Sequence, residues 1–226
     1  MNPNLVVIPT RDRPHNAQRA FEQLKKVSVE SDFLMIINED QFEMYSSIKH
    51  IPFYDVPSEL GSIGKVNYVL EDSPSILSQY QTITGIDDDC MVTTPEWDAH
   101  LLAPIKRRGY GISYGNDTMQ GENLPTKVMI STNILKPLGF WAPPVLTHLF
   151  ADNFWKELGT ALAALTYFPN VMMEHWHYLN GKAPIDELYQ SIYRAGEMEN
   201  AQDAFTGYMK EDFARDVERV KLALAG

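Results

Sequence analysis

Only one cysteine, Cys90, occurs in the 226 residues of this chain. No internal disulfide is available, which suits a reducing compartment and makes a cytoplasmic location the expectation. Its place beside Asp89 disfavours a reactive thiolate, because neighbouring negative charge raises a thiol pKa; a buried structural cysteine is expected. No apolar run approaches the ~20 residues a membrane-spanning helix needs, so no membrane partner is expected. Residues 1–4 lack the basic and apolar segments of a signal peptide. Neither G-x-G-x-x-G nor a P-loop pattern is present, which disfavours dinucleotide oxidoreductases and P-loop kinases. Positive charge is also scarce: 19 Lys+Arg against 30 Asp+Glu give a formal net charge of −11. Phosphate neutralisation needs clustered Lys and Arg, so this balance does not advertise a nucleic-acid binder. The one dense basic run, Lys106-Arg107-Arg108, reads as a solvated helix end.

What the chain does have is apolar periodicity of two kinds. Leu5-Val6-Val7-Ile8 and residues 33–37 are short unbroken apolar runs, the pattern of strands buried on both faces of a parallel sheet. Between them, Ala17, Ala20, Phe21 and Leu24 recur at helical spacing. A short helix over 41–48 and a proline-flanked extended piece over 51–57 follow. Strand–helix–strand alternation of this kind marks an α/β sheet. Helices are expected around 65–71, near 75–80, from Pro95 (with Thr94 as N-cap) and over 151–164, with 161–168 read as a core helix. Strands are expected at 82–86 and 128–132, with 171–180 short and extended. Residues 110–150 are otherwise turn-rich, and 184–224 read as mostly helical, amphipathic over 210–224.

Four constellations carry chemistry. Asp87-Asp88-Asp89 follow the strand at 82–86, and ligands of open α/β sheets bind outside the carboxyl ends of strands. Adjacent carboxylates repel one another and call for a cation; oxygen ligands suit Mg²⁺ or Mn²⁺. In an extended backbone side chains i and i+2 share a side, so Asp87 and Asp89 are expected to converge on one ion while Asp88 points elsewhere. The plainer alternative is a solvated acidic turn. His175 and His177 are also i and i+2, with Glu174 as an orienting partner; imidazole is a common ligand for divalent metals, though a packed core histidine is the competing reading. Thr10-Arg11-Asp12-Arg13-Pro14 follows the first strand, and arginine forks bind phosphate bidentately. Asp152 stands at a helix start, as an N-cap or as a general base.

In order and spacing these stretches resemble the GT-A nucleotide-sugar glycosyltransferases. Residues 6–14 look like that family's opening strand and nucleotide loop, Asn38-Glu39-Asp40 like its base-contacting position, and Gly64-Lys65-x-Asn67 like its glycine–lysine–asparagine stretch. Asp87-Asp88-Asp89 occupies the Asp-x-Asp position, and His175 or His177 that of the late metal-binding histidine. Tyr114-Gly115-Asn116-Asp117, Glu122-x-x-Pro125-Thr126 and Asp152-Asn153-Phe154-Trp155 are similar to compact glycosyltransferases of tailed bacteriophages, some of which glycosylate hydroxymethylated pyrimidines in DNA. The chain departs from the family in its uninterrupted aspartates and in lacking a Glu-Asp pair at Asp152.

The resemblance implies a mostly parallel α/β sheet flanked by helices, with a catalytic domain over 1–183 and a helical extension over 184–226 packed on it. It implies Mn²⁺ or Mg²⁺ held by Asp89 with Asp87 and a histidine, His175 or His177. A nucleotide-sugar donor, uridine-based, would contact Pro9, Thr10, Arg11, Asn38, Asp40, Lys65, Asn67, Asp87 and Asp88. Asp152 would be the base of an inverting transfer, with Asp117 in reserve for the base or for sugar recognition. Hydroxymethylated phage DNA as acceptor would need a basic groove, for which Lys106, Arg107, Arg108, Lys127 and Lys136 are the candidates, and would place the enzyme in the host cytoplasm. The competing classes are a nucleotidyltransferase using the same metal–diphosphate device, a glycosyltransferase acting on a cell-surface glycan, and a non-catalytic module that retains the fold.

Overall fold

The computed structural model describes residues 1–187, 190 and 196–226. An eight-stranded mixed sheet runs in the order β3-β2-β1-β4-β7-β6-β8-β5. Its first half is parallel. β1 (Asn2–Pro9) lies between β2 (Ser31–Asn38) and β4 (Tyr80–Gly85), and β3 (Phe53–Val56) flanks β2. The unbroken apolar run of β1 has the expected cause. Leu5 and Val7 enter one core cluster, Val6 and Ile8 the other, so both faces of the strand are covered.

Helix α1 (Pro14–Val27) connects β1 to β2 and buries Ala17, Ala20, Phe21, Leu24 and Val27, the 3.6-residue stripe read from the sequence. Pro14 occupies its first turn, where a missing N–H costs nothing, and Lys25 and Lys26 in the last turn face the negative end of the helix dipole. After β2 come a 3-10 turn (Glu39–Gln41) and the short α2 (Phe42–Tyr45). α3 (Ser62–Asp72) and α4 (Ile76–Gln79) lead into β4.

The second half of the sheet is assembled from strands that the turn-rich middle conceals. β6 (Ile112–Asn116) and β7 (Val128–Ser131) are antiparallel to each other, and β7 is antiparallel to β4. β8 (Leu165–His175) is parallel to β6 and antiparallel to β5 (Cys90–Val92), which pairs Cys90 with His175. Three expectations are corrected here. Residues 165–168 belong to β8 and not to a core helix: α7 (Ala151–Ala161) ends before the left-handed Ala163, and Thr166, Tyr167 and Phe168 have strand character. Of the extended segment expected at 171–180, residues 171–175 are the second half of a strand begun at Leu165, while Tyr178–Asn180 form a 3-10 turn. Helix α5 (Trp97–Arg108) starts two residues later than Pro95, from a left-handed Glu96. Thr94 caps nothing there; its hydroxyl bridges Asn170 O and Met172 N of β8. α6 (Thr132–Leu138) continues straight from β7.

At the C-terminal end, α8 (Glu197–Glu211) and α9 (Phe213–Ala225) pack Tyr208, Val217 and Val220 into the core cluster that also holds Phe154 and Leu135. The expected helical tail is present, while the part of it at residues 188–189 and 191–195 lies outside the described residues. No helix among the described residues is long and apolar enough to cross a membrane.

The register of β8 is interrupted opposite Gly115, where Gly115 pairs with Phe168 but Asn116 pairs with Met172. The extra residues bulge out of the ladder, and β8 resumes toward His175. Gly115 is required by this crossing. A Cβ there would overlap the Val171 carbonyl oxygen and lie 2.8 Å from Met173 Cγ. Gly115→Ala should cost about 1–3 kcal/mol by overpacking. Thermal unfolding followed by circular dichroism should show Tm lowered by roughly 2–4 °C per kcal/mol for a chain of this size.

Candidate active site

The carboxyl ends of β1 and β4 lie side by side, and Asp87-Asp88-Asp89 form a turn there, closed by Cys90 N donating to Asp87 O at 3.1 Å. The backbone is therefore not extended, and the three side chains diverge to three different partners. Asp87 Oδ2 is 2.7 Å from Lys127 Nζ. Asp88 Oδ2 accepts from Thr10 Oγ1 at 2.6 Å, and since that hydroxyl proton is committed, Thr10 Oγ1 in turn accepts from Tyr45 O–H at 2.8 Å. Asp89 lies 3.5 Å from Arg13 Nη1 and 3.3 Å from His175 Nε2. Arg13 Nη1 is also 3.4 Å from Asp88, and the other side of its fork grips Asp186 through Nε at 2.7 Å and Nη2 at 2.8 Å.

The strand pairing explains the histidine. Cys90 opposite His175 puts the residue before Cys90 beside the imidazole, and Trp176 N donates to Asp89 O at 2.8 Å. His175 and His177 have ring centroids 5.0 Å apart. His177 is buried, and its Nδ1 accepts from Leu179 N, so its ring caps the turn at Tyr178–Asn180. Burial, then the neighbouring His175, pushes its pKa down.

A cavity of about 370 Å³ opens over this cluster, walled by Thr10, Arg11, Lys65, Asp89, His175 and His177. Lys65 is itself buried, donates to Thr10 O at 2.5 Å, and has its pKa pushed down to about 8 by burial and then by Arg11. Pro9 lines the same cavity, as do Asp87 and Asp88. Arg11 donates to Ser58 O at 2.9 Å and pairs with Asp40 at 3.3 Å. A second cavity of about 170 Å³ adjoins the first, with Trp141, Trp155, Thr126, Lys127 and Asp152 on its walls. Asp152 sits in the first turn of α7, whose N-cap is Phe150, so it is not the cap; its Oδ1 accepts from Asn153 N, and burial raises its pKa.

Three expected site residues face elsewhere. Asn67 follows Lys65 by two positions, about 200° around a helix, and braces the loop beyond α6 through Trp141 N and Ala142 O. Asn38 is fully buried and donates to Pro57, Ser58 and Leu60 carbonyls. Asp117 accepts from Met119, Gln120 and Gly121 N–H and from Thr126 Oγ1. Burial alone would raise its pKa, but these four bonds hold it down. Its backbone O accepts from His175 N, so it supports the site from behind. The basic groove is also corrected. Lys127 is an internal counterion, and Lys106, Arg107 and Arg108 end α5 at the opposite, amino-terminal edge of the sheet, beside the start of β6. Lys136, on α6 after β7, lies at that same edge.

Three participants have roles that the sequence reading missed. Arg13 was read as part of a phosphate-binding loop and Lys127 as a groove candidate, neither as a counterion of the aspartates. His148 lines both cavities, with Nδ1 2.9 Å from Ser62 Oγ. Its signal was merely a histidine in a proline-rich loop before Asp152. Crowding by the surrounding chain pushes its imidazole pKa down, although the cavity leaves the ring open to solvent.

Among the described residues, no three His, Cys, Asp or Glu side chains are gathered at metal-ligand distances. The donor chemistry still fits a hard divalent cation, with a carboxylate and an imidazole side by side at Asp89 and His175. The charges fit as well. Asp87, Asp88, Asp89 and Asp186 face Arg13 and Lys127, a surplus of negative charge. Burial, then the charge of Asp89, raises the pKa of Asp88 to about 7.

No family model matches the sequence, and no curated protein matches it. Solved structures do. A mannosyltransferase from Pyrobaculum calidifontis in complex with GDP-Man and Mn²⁺ superposes with a TM-score of 0.57 at 9% identity, over 98% of this chain and 74% of that one. Glucosyl-3-phosphoglycerate synthase from Mycobacterium tuberculosis, in complex with Mn²⁺, UDP and phosphoglyceric acid, gives 0.59 at 12% identity, over 91% and 78%. A putative nucleotide-diphospho-sugar transferase from Desulfovibrio desulfuricans gives 0.52 at 9% identity, over 100% and 98%. The chain has the GT-A fold of these proteins.

The raised pKa of Asp88 makes a signed prediction for the metal-free protein. Its folded pKa lies above the ordinary 3.8, so ionising it in the fold costs stability as pH rises from about 4 to about 7. Asp88→Asn keeps an acceptor for Thr10 and removes that cost. Thermal melts in chelator should show the variant gaining on wild type at pH 8, with the gap narrowing toward pH 4.

Proposed function

We propose that this chain is a metal-dependent glycosyltransferase that moves a sugar from a nucleotide-diphosphate sugar, uridine-based, to an acceptor hydroxyl. The observation that carries this reading is the meeting of Asp89 and His175, from sequence positions 86 apart (175 − 89), on the floor of a cavity that also presents Lys65 and Arg11. Asp89 and His175 would hold Mn²⁺ or Mg²⁺, which supplies Lewis-acid stabilisation to the departing diphosphate. The chain's own cations add to it. Lys65, at the first turn of α3, offers a short-range charge that is present below pH about 8 and fades above it. Arg11 lines the cavity and pairs with Asp40, a pair suited to the ribose and base, and Pro9 and Thr10 line the same cavity.

The adjoining cavity suits the transferred sugar and the acceptor. Asp152 is its carboxylate with a raised proton affinity, as a general base requires, and it would take the acceptor proton as the oxygen attacks the anomeric carbon. Attack from a side opposite the diphosphate inverts the configuration. In this reading residues 1–183 form the catalytic body. The extension from 184 closes one wall of the donor cavity through Glu197 and Ala201. Duplex DNA is the less favoured acceptor, because none of the five candidate groove residues presents free positive charge at the cavity mouth and the net charge of −11 opposes approach. A small hydroxylated acceptor or a glycan end fits the narrow second cavity better.

A donor screen over nucleotide sugars, with Mn²⁺ and with chelator, tests the reading. Release of nucleoside diphosphate should require metal and fall by at least about 100-fold in Asp89→Asn. Asp152→Asn should lower transfer by roughly 10²–10⁴-fold, the usual worth of a general base, while leaving nucleotide binding by calorimetry within a few-fold. Inorganic diphosphate and a sugar phosphate as products would point to a nucleotidyltransferase. Metal-independent behaviour with every donor would overturn the proposal.

A further inference from the structure

We infer that His148 is a second catalytic residue of the transfer reaction, a neutral hydrogen-bond donor to the leaving diphosphate, held in place by Ser62. The inference rests on the glycosyltransferase reading above. Its basis is position. The donor cavity and the smaller cavity share a short boundary, and His148 stands on it together with Asp87 and His175. The bond to be broken, between the anomeric carbon and the diphosphate oxygen, has to lie across that boundary if the nucleotide fills one cavity and the sugar the other. A group there touches the leaving oxygen, whereas Asp152 lines only the sugar side.

The imidazole is held, not loose. Ser62 Oγ lies 2.9 Å from Nδ1, and no other hydrogen bond to the ring occurs among the described residues, so Nε2 remains for the cavity. Ser62 is the first residue of α3, which fixes its Cα. The loop that carries His148 is held at two points before it. Gly61 fits so closely under it that a Cβ would stand 2.8 Å from Thr147 O. Upstream, Asn67 binds Trp141 N at 2.7 Å and Ala142 O at 2.9 Å, and Trp155 Nε1 donates to Trp141 O. The tautomer that the role requires has its proton on Nε2; Nδ1 then accepts from Ser62 O–H, and the neutral ring offers a donor at the boundary. Crowding, which disfavours the imidazolium, agrees with a neutral ring.

The step balances without transfer of that proton. The acceptor oxygen forms its bond to the anomeric carbon, and its proton goes to Asp152. The carbon–oxygen bond to the diphosphate breaks with its electron pair on the diphosphate oxygen. His148 Nε2–H strengthens its hydrogen bond as that charge grows, which stabilises the transition state more than the bound donor.

The test is steady-state transfer by the full chain with the nucleotide sugar that the screen identifies, alongside calorimetric binding of the corresponding nucleoside diphosphate with Mn²⁺. His148→Ala should lower kcat by about 10²–10³-fold, the usual loss for one such donor, with nucleotide affinity within about threefold. His148→Gln, which restores an N–H, should recover at least about tenfold of that loss. Ser62→Ala should lower kcat severalfold at unchanged KM, and Ser62→Thr should not. Wild-type kcat in His148→Ala, equal losses in the Ala and Gln variants, or a loss carried entirely by nucleotide affinity would each overturn the role of His148 and leave the glycosyltransferase reading standing. A wild type with no metal-dependent transfer would overturn both. Circular dichroism melts of each variant assign any loss of fold, and His148→Gln is the decisive arm if His148→Ala is unstable.

Discussion

The structure turns on a single electrostatic constraint: three consecutive carboxylates must be held at the end of a buried strand. Repulsion between unit charges about 4 Å apart is worth roughly 4 kcal/mol per pair near a protein surface, so the cluster exists only because other parts of the chain answer it. Arg13 arrives from the loop after β1 and Lys127 from the start of β7. The hydroxyl relay Tyr45–Thr10 reaches Asp88, and β8 delivers His175 to Asp89. Each comes from a different segment, so the topology of the whole sheet is needed to gather them. The parallel half supplies the carboxylates and the arginine, and the antiparallel half supplies the lysine and the imidazole.

That division explains the two cavities. The parallel half ends in loops that open at the carboxyl edge of β1 and β4, where Arg11, Arg13 and Lys65 line the larger cavity. The antiparallel half raises Trp141, Trp155 and Asp152 against the same edge, giving a smaller chamber. Between them the groups with perturbed proton affinity are sorted by burial: Lys65 is depressed, Asp88 and Asp152 are raised. Each is destabilising in the fold at neutral pH. Their retention in one place is the pattern expected when stability yields to function.

The parallel half was legible in the sequence because its signals are local. Val6 to Ile8 alternate between two cores, and Ala17 to Val27 trace a helical stripe. Asp87 to Asp89 stand where α/β sheets bind ligands. The antiparallel half was not. β6 holds Gly115 and Asn116 among its five residues, β5 has three residues, and both resemble turns taken alone; only their ladder partners make them strands. The same locality explains the errors within the site. An i, i+2 argument assumed an extended backbone for the aspartates, whereas the Asp87–Cys90 hydrogen bond makes a turn and sends the side chains apart. Asn67 fell in the right motif but on the wrong face of α3. Lys127 read as a surface charge because nothing nearby in sequence reveals that Asp87 awaits it.

The pairing of Lys127 with Asp87 also bears on why the aspartates can be contiguous. Were Asp87 and Asp89 to converge on one ion with Asp88 turned the other way, the middle carboxylate would need a counter-charge of its own or stay buried unpaired, a cost of several kcal/mol. In the turn, Asp88 points inward to Thr10 and Arg13, and Asp87 is drawn aside by Lys127. Asp89 is thereby left at the imidazole of His175, on the cavity floor. A single carboxylate with one imidazole is a weak metal site by itself; in the proposed reading a nucleotide's phosphate oxygens would supply further ligands. In that reading the asymmetry of the cluster would couple metal retention to the presence of a diphosphate, which would suit a site that releases a nucleotide product after each turnover.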